Sequence, residues 1–417
     1  MTYGMGVEII EITVDSLGGL GDGIAQHQGK PLFIGKACAG DRLRVRIVHE
    51  NQDGYQGVVT EILSAGPHRR EAPCVYFSEC GGCSLQQLVP EEYRAFKTRM
   101  LQNAIARAGF ENSAEVQFLA PQTRRRVEFK VAQGKLAFHA PRSHTPVFIA
   151  SCLILLPALQ ALIAPLNAVI AEWPDLFSVG LTQADLSPEA LAKGGAGIDM
   201  MLTFRSVIPP LSLEALCAKL GIARVSVRTR EGKANVLCQV SPVEMLLGNT
   251  RVALPPEAFL QATAEGQAAL TQAVMAGVSG AKSVVDLFCG IGTYSFPLSL
   301  QARVHAVEGD AQMVAAAKKA GLSAEKRDLF KHPLTAFELG KFDAAVINPP
   351  RVGAKAQVEQ LVASGISRIV MVSCNPATFA RDAAIFKKNG FTMNSVQGID
   401  QFVWSQHLEI IAVFVRY

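Results

Sequence analysis

The sequence predicts an α/β fold: a parallel-sheet domain at the C-terminal end, an α+β middle and a small N-terminal β-barrel. Three observations carry this. The 417 residues exceed the ~100–200 residues usual for one domain. The first 65 residues hold many short strand-like runs broken by glycine turns. Beyond residue 250 or so the rhythm changes to apolar strands separated by helical patterns, the signature of a parallel α/β sheet. These shifts divide the chain at 1–65, 66–250 and 251–417.

With 49% hydrophobic and 18% charged residues, most of the chain can bury real cores, which excludes general disorder. The 40 Lys and Arg against 36 Asp and Glu leave only +4, so bulk charge does not hold this protein to a polyanion. Any nucleic-acid contact must come from local patches. Nine cysteines and no hydrophobic leader predict a reducing, cytoplasmic setting, where thiols serve more often as ligands or nucleophiles than as disulfides. Val147 to Ala171 is apolar for about the length of a membrane span, but Pro157, Gln160, Pro165 and Asn167 mark it as a core helix of a soluble domain. Nothing in the sequence requires a membrane or a protein partner.

In the first segment, strands are expected at Val7–Val14, Pro31–Ile34, Arg42–His49 and Gly57–Ile62. Arg42, Arg44 and Arg46 alternate, so all three share one strand face. That face is either a phosphate stripe or a solvated surface balanced by acids. In the middle segment a cysteine cluster precedes a helix over Pro90–Ala108. Strand-like alternation follows at Thr123–Phe138 and Ile198–Val240, with Glu231-Gly232 as a hairpin turn.

In the last segment, strands are expected at Ser283–Phe288, Arg303–Val307, Ala344–Ile347 and Arg368–Val372. The first runs into Cys289-Gly290-Ile291-Gly292, where glycines let a ligand approach the backbone. Asp286 sits at that strand's end, and Glu308 ends the next strand 22 residues later, placed to accept ribose hydroxyls. The third glycine of a pyrophosphate-binding fingerprint is missing. S-adenosylmethionine, which has a ribose and no pyrophosphate, therefore fits better than a nicotinamide dinucleotide.

Asn348-Pro349-Pro350-Arg351 and Ser373-Cys374-Asn375-Pro376 end the following two strands at the same sheet edge, where ligands bind in open α/β sheets. The first offers a rigid amide platform for a planar base. The second offers a thiol for nucleophilic catalysis. C5 of uracil is a poor nucleophile until something adds at C6, and Cys374 is the candidate for that addition. Glu409 is the candidate base for the C5 proton. Cys374 alone is equally readable as a buried structural cysteine, and Glu409 alone as a surface carboxylate.

Phe259-x-Gln261, Asp286-Leu287-Phe288-Cys289-Gly290-x-Gly292, Val307-Glu308-Gly309, Asn348-Pro349-Pro350-Arg351, Ser373-Cys374-Asn375-Pro376 and His407-Leu408-Glu409 occur in the order of the RNA uracil-5 methyltransferase family, which the chain resembles. The spacing of Gly19, Gly21, Gly23, Ala25, Gly29-Lys30 and Phe33-Ile34 looks like a TRAM domain, an OB-like barrel associated with RNA binding. Together these are similar to the iron–sulfur-containing 23S rRNA uracil-5 methyltransferases. The resemblance implies a Rossmann-like catalytic domain, with Gln261, Phe288, Thr293, Glu308, Asp328 and Asn348 lining the donor pocket, Cys374 as nucleophile and Glu409 as base.

Cys74, Cys80, Cys83 and Cys152 have the form C-x5-C-x2-C-x68-C, which suits zinc or an iron–sulfur cluster without choosing between them. The resemblance implies a [4Fe-4S] cluster there. Arg124-Arg125-Arg126 matches a basic run of the family's central domain, readable as an RNA phosphate contact or as solvated surface. The family commonly has Asn at the positions of Thr263 and Thr293 and Asp at Asn348. The substrate implied is 23S rRNA, with tRNA or cytosine-5 methylation as alternatives, and a non-catalytic RNA-binding iron–sulfur protein as a rival of another class.

Overall fold

Alternating apolar and polar residues open the chain with six strands: β1 (Ile9–Thr13), β2 (Ser16–Leu17), β3 (Gly23–His27), β4 (Lys30–Ile34), β5 (Arg42–Asn51) and β6 (Gly54–Ser64). They form one sheet in the order β1-β5-β6-β4-β3-β2. Its buried face carries Val14, Ala25, Leu32, Ile34, Leu43, Val45 and Tyr55. A Cβ on Gly57 would lie 2.4 Å from Val45 Cγ1, so only glycine lets β6 pass its neighbour there.

The computed structural model describes residues 8–185, 197–211 and 213–417. They fall into two compact units: the described residues within 1–100, 138–147 and 402–406, and those within 101–137, 148–401 and 407–417. In the first unit, buried Asp41 accepts from the backbone N–H groups of Cys38 and Gly66 and pairs with Arg69 at 2.6 Å. That ties the end of the sheet to the segment that follows it.

The remaining strands are β7 (Glu115–Phe118), β8 (Arg126–Ala132), β9 (Lys135–His139), β10 (Pro146–Phe148), β11 (Leu176–Gln183), β12 (Ile198–Phe204), β13 (Ile222–Thr229) and β14 (Asn235–Gln239). There follow a hairpin of β15 (Glu244–Leu247) and β16 (Thr250–Ala253), then β17 (Ser283–Leu287), β18 (Arg303–Glu308), β19 (Ala324–Lys326), β20 (Ala344–Ile347), β21 (Arg368–Ser373), β22 (Thr392–Asp400) and β23 (Glu409–Val415). One sheet runs β10-β9-β8-β11-β12-β13-β14, and the expected hairpin turn at Glu231-Gly232 joins antiparallel β13 and β14.

The second large sheet runs β19-β18-β17-β20-β21-β23-β22-β7. β19, β18, β17, β20 and β21 are mutually parallel, whereas β23 is antiparallel to both neighbours. The continuous apolar runs of β17 and β20 reflect burial on both faces. From β17 the chain steps to β18 on one side and later to β20 on the other, so the strand order reverses at β17. The carboxyl ends flanking such a reversal form the usual ligand crevice of an open α/β sheet.

The apolar stretch Val147–Ala171 departs from the single core helix expected. It forms two short helices, Pro157–Gln160 and Ile163–Val169, then a 3-10 turn at Ile170–Glu172. Pro157 and Pro165 each lack an N–H and are tolerated only in a first turn, so two prolines start two helices. Among the described residues no helix is long and apolar enough to cross a membrane.

Candidate active site

The turn after β17 is built for close approach. Phe288 has φ +61° and Gly292 φ +92°, and a Cβ on Gly292 would lie 2.8 Å from the Phe296 ring. Glu308, at the end of β18, accepts from Gly290 N–H and Asp310 N–H, both at 2.9 Å. Its carboxylate is thereby fixed beside the turn with lone pairs left for a ligand. Asp328 accepts from the N–H groups of Phe330 and Lys331, which outweigh partial burial and hold its carboxyl below the usual range. The same loop brings the Phe330 ring to 5.3 Å from that of Phe288. Asn348 N–H bonds to Leu287 O at 3.2 Å, and Thr293 is half-buried in the β17 turn.

Beneath the turn, Asp286 is fully buried and takes one hydrogen bond, from Ser295 Oγ at 2.6 Å; its Oδ1 has no partner among the described residues. Burial pushes its carboxyl up to about 7, against the pull of Ser295. Gln261 Nε2 donates to the hydroxyl of buried Tyr294 at 3.3 Å. Thr263 caps the helix Ala264–Gly277 by accepting from Gly266 N–H at 2.9 Å. Asn caps a helix equally well, so the departure at this position leaves the helix start intact.

The basic run Arg124-Arg125-Arg126, readable from the sequence as an RNA phosphate contact or as solvated surface, directs hydrogen bonds to the protein's own carbonyls. Arg125 is only 3% exposed, and its guanidinium donates to Gln261 O at 3.0 Å and Gln267 Oε1 at 2.7 Å. Arg126 donates to Leu260 O and lies over the Phe259 ring, and Arg124 Nε donates to Arg126 O. The run anchors the segment that carries Gln261. In the first unit, Arg42 and Arg44 both pair with Glu11, and Arg44 also pairs with Glu61. Of the two readings of this face, a phosphate stripe or a solvated surface balanced by acids, these pairs match the second at Arg42 and Arg44, although exposed pairs of this kind are weak.

Antiparallel β23 assembles the catalytic candidates. Ser373 of β21 pairs with Ile410, and Ile399 of β22 pairs with Glu409. Cys374, just past β21, and Glu409, the first residue of β23, therefore emerge at one sheet edge, with Gln401 just beyond β22. Burial raises the Cys374 thiol above its usual range, and the charge of Glu409 adds to this; the nearby Arg351 guanidinium pulls it back. Glu409 is 3% exposed, and burial pushes its carboxyl up to about 7 against the opposing effects of Gln401 and Arg351. The Arg351 loop is held in turn by Asn375 Nδ2 and Thr378 Oγ1, which donate to Arg351 O at 3.0 and 3.1 Å.

None of the nine cysteines is disulfide-bonded. Cys74, Cys80 and Cys83 lie on one loop of the first unit, where the Lys36 amine donates to the carbonyls of Phe77 and Cys80. Cys152 belongs to the second unit. Among the described residues no group of three or more His, Cys, Asp or Glu is placed to hold a metal ion. Cys38, Cys217 and Cys238 are buried. Desolvation pushes the Cys38 thiol up to about 12, as for an inert core residue.

Residues 322–416 match the family model described as tRNA (Uracil-5-)-methyltransferase. An uncharacterised RNA methyltransferase of Caulobacter vibrioides is 34% identical over 433 residues, which cover 97% of this chain and 100% of its own. The chain belongs to the RNA uracil-5 methyltransferase family. The 23S rRNA (uracil(1939)-C(5))-methyltransferase RlmD of Shewanella amazonensis is 28% identical, with 97% of this chain and 95% of that one covered. Pyrococcus abyssi tRNA (uracil-54, C5)-methyltransferase, solved with S-adenosyl-L-homocysteine, superposes with a TM-score of 0.77 at 19% identity, covering 97% of this chain and 99% of that one. That likeness is one of fold.

Two residues at the edge of this methyltransferase's site were not among those singled out for it from the sequence. Arg351 stood in the Asn-Pro-Pro-Arg motif, which the sequence offered only as a rigid amide platform. Gln401 had no motif at all; its contacts reach 139 residues back, to Ala262, and 140 back, to Gln261.

Proposed function

We propose that this enzyme methylates C5 of a uridine in 23S rRNA with S-adenosylmethionine as donor, through a covalent bond between Cys374 and C6 and with Glu409 as the base. The observation that carries this reading is the convergence of Cys374, Arg351 and Glu409 at the carboxyl edge of β21. S-adenosylmethionine, when bound, supplies an electrophilic methyl group on a sulfonium. Residues that would hold it are Gln261, Phe288, Thr293, Glu308, Asp328 and Asn348; the fixed carboxylate of Glu308 is suited to a ribose diol.

The Cys374 thiolate adds to C6, and the C5=C6 electron pair moves onto C5 and O4. C5 then takes the methyl group, and the donor sulfur keeps the pair of the broken bond. Glu409 removes the C5 proton, the C5=C6 bond reforms, and the thiolate leaves. Arg351 assists the first step by favouring the thiolate. Burial of Glu409 holds it near the operating pH, where a general base works best. Asn348 can accept from N3–H and donate to O4, so its amide suits uracil. Attack at C6 needs the face of the ring, so the target base is read as flipped out of its helix or loop. The N-terminal segment, read as a TRAM-like OB barrel, would contribute to holding the RNA.

The test is methylation by the purified protein of 23S rRNA and tRNA transcripts, followed by nucleoside mapping. 5-Methyluridine at one site of 23S rRNA is expected. Product only in tRNA would move the substrate, and 5-methylcytidine would overturn the base.

The iron–sulfur reading rests on donor chemistry alone: thiolates at Cys74, Cys80, Cys83 and Cys152 are the ligand type such clusters require. No step is routed through the group, because the methyl transfer moves no net electrons. Anaerobically purified protein is expected to carry about four iron and four sulfide per chain. Protein active without either would show that the enzyme needs no cluster.

A further inference from the structure

We propose that Gln401 is a positioning residue whose one side-chain amide sets both the base Glu409 and the donor-pocket residue Gln261; this rests on the roles given to those two residues above. Gln401 is 2% exposed and sits just past β22, beside the start of β23. Its Oε1 accepts from Ala262 N–H at 3.1 Å. A backbone N–H can only donate, so this contact fixes which end of the amide is oxygen. Nε2 is therefore the donor in the other two contacts. It reaches Glu409 Oε2 at 3.0 Å and Gln261 Oε1 at 2.7 Å.

The three contacts leave little freedom. Both Nε2 hydrogens are committed, one to the base and one to Gln261. Because its own oxygen is held by Gln401, Gln261 presents its nitrogen to Tyr294. A Cβ on Gly266 would lie 2.8 Å from Gln401 Oε1, so the helix start leaves room for this amide. Chemistry explains why an amide is needed. A hydrocarbon would leave Glu409 Oε2 and Gln261 Oε1 without this donor in a buried site. A carboxylate would repel Glu409. An amide neither ionises nor takes up a proton near neutral pH, so Gln401 orients the base without competing for the C5 proton.

Gln401→Met keeps length and removes both donors. In the proposed reaction Glu409 acts only after methyl transfer, so loosening it should slow release of the RNA more than attack by Cys374. We expect turnover to fall about 10- to 100-fold, with methyl transfer in the first turnover within a few-fold of the parent. A denaturant-resistant protein–RNA complex should accumulate on ordinary, unfluorinated RNA. The rising limb of the turnover–pH profile should move to higher pH, because Gln401 favours the ionised base. Unchanged turnover would overturn the proposal. So would a loss without accumulated complex and with the parental pH profile, which marks a merely structural role. If instead the parent enzyme gives no complex with 5-fluorouracil-containing RNA, the assignment of the nucleophile fails first, independently of Gln401.

Discussion

Cys374→Ala should abolish methylation, lowering turnover by at least about 10³-fold, as loss of a covalent nucleophile does. Without addition at C6, C5 of uracil has too little electron density to take a methyl group, and the other thiol at this edge, Cys289, lies buried in the β17 turn and is raised well above the usual range by desolvation. The substitution removes one sulfur from a half-buried position and leaves every backbone hydrogen bond of the Ser373–Pro376 turn in place. The unfolding temperature should therefore stay within a few degrees of the parent, so that the lost activity is chemical. With 5-fluorouracil-containing RNA the parent should form a denaturant-resistant complex, since fluorine at C5 cannot be removed as a proton. The variant should form none. Retained methylation in Cys374→Ala would end the covalent mechanism.

What the sequence disclosed and what it hid follow from the range of the interactions. The central parallel strands were legible because Ala344–Ile347 and most of Arg368–Ser373 are buried on both faces and read as apolar runs: Ala344–Ile347 falls where expected, and Arg303–Glu308, less buried, and Arg368–Ser373 each run one residue further. Cys374 and Glu409 stood out in the sequence as candidates, and the geometry adds the antiparallel return of β23 that brings them to one edge. Arg124 to Arg126 misled because a basic run looks solvated until its acceptors are known, and those are carbonyls 134 and 136 residues away. Gln401 was illegible for the same reason: nothing local distinguishes a glutamine that bridges two buried partners from one that faces water. The apolar stretch was misjudged for a local reason, since its second proline restarts the helix. Asp286 was placed correctly at a strand end, but its full burial depends on the Ala264–Gly277 helix and on neighbouring strands that no window of sequence contains.

Glu409→Gln should separate the two halves of the reaction. The glutamine has nearly the same shape but cannot take a proton. Attack by Cys374 and methyl transfer should survive while elimination slows, lowering turnover by about 10²- to 10⁴-fold, the range for a lost general base. Methylated RNA should stay bonded to the protein on a denaturing gel without any fluorinated base. The pH dependence fixes the sign. Burial raises the Glu409 carboxyl to about 7, so in the parent enzyme release should accelerate as pH rises through that value and level off above it. The variant should lose this limb. Stability should move with it in a defined direction, because the folded state holds a proton that the unfolded chain releases near pH 4.5. The contribution of this carboxyl to stability therefore falls as pH rises from about 4.5 to 7, and Glu409→Gln should gain in unfolding temperature relative to the parent above pH 7 but not below pH 4.5. Normal turnover in this variant, or an unfolding difference independent of pH, would show that Glu409 is neither the base nor a buried proton carrier.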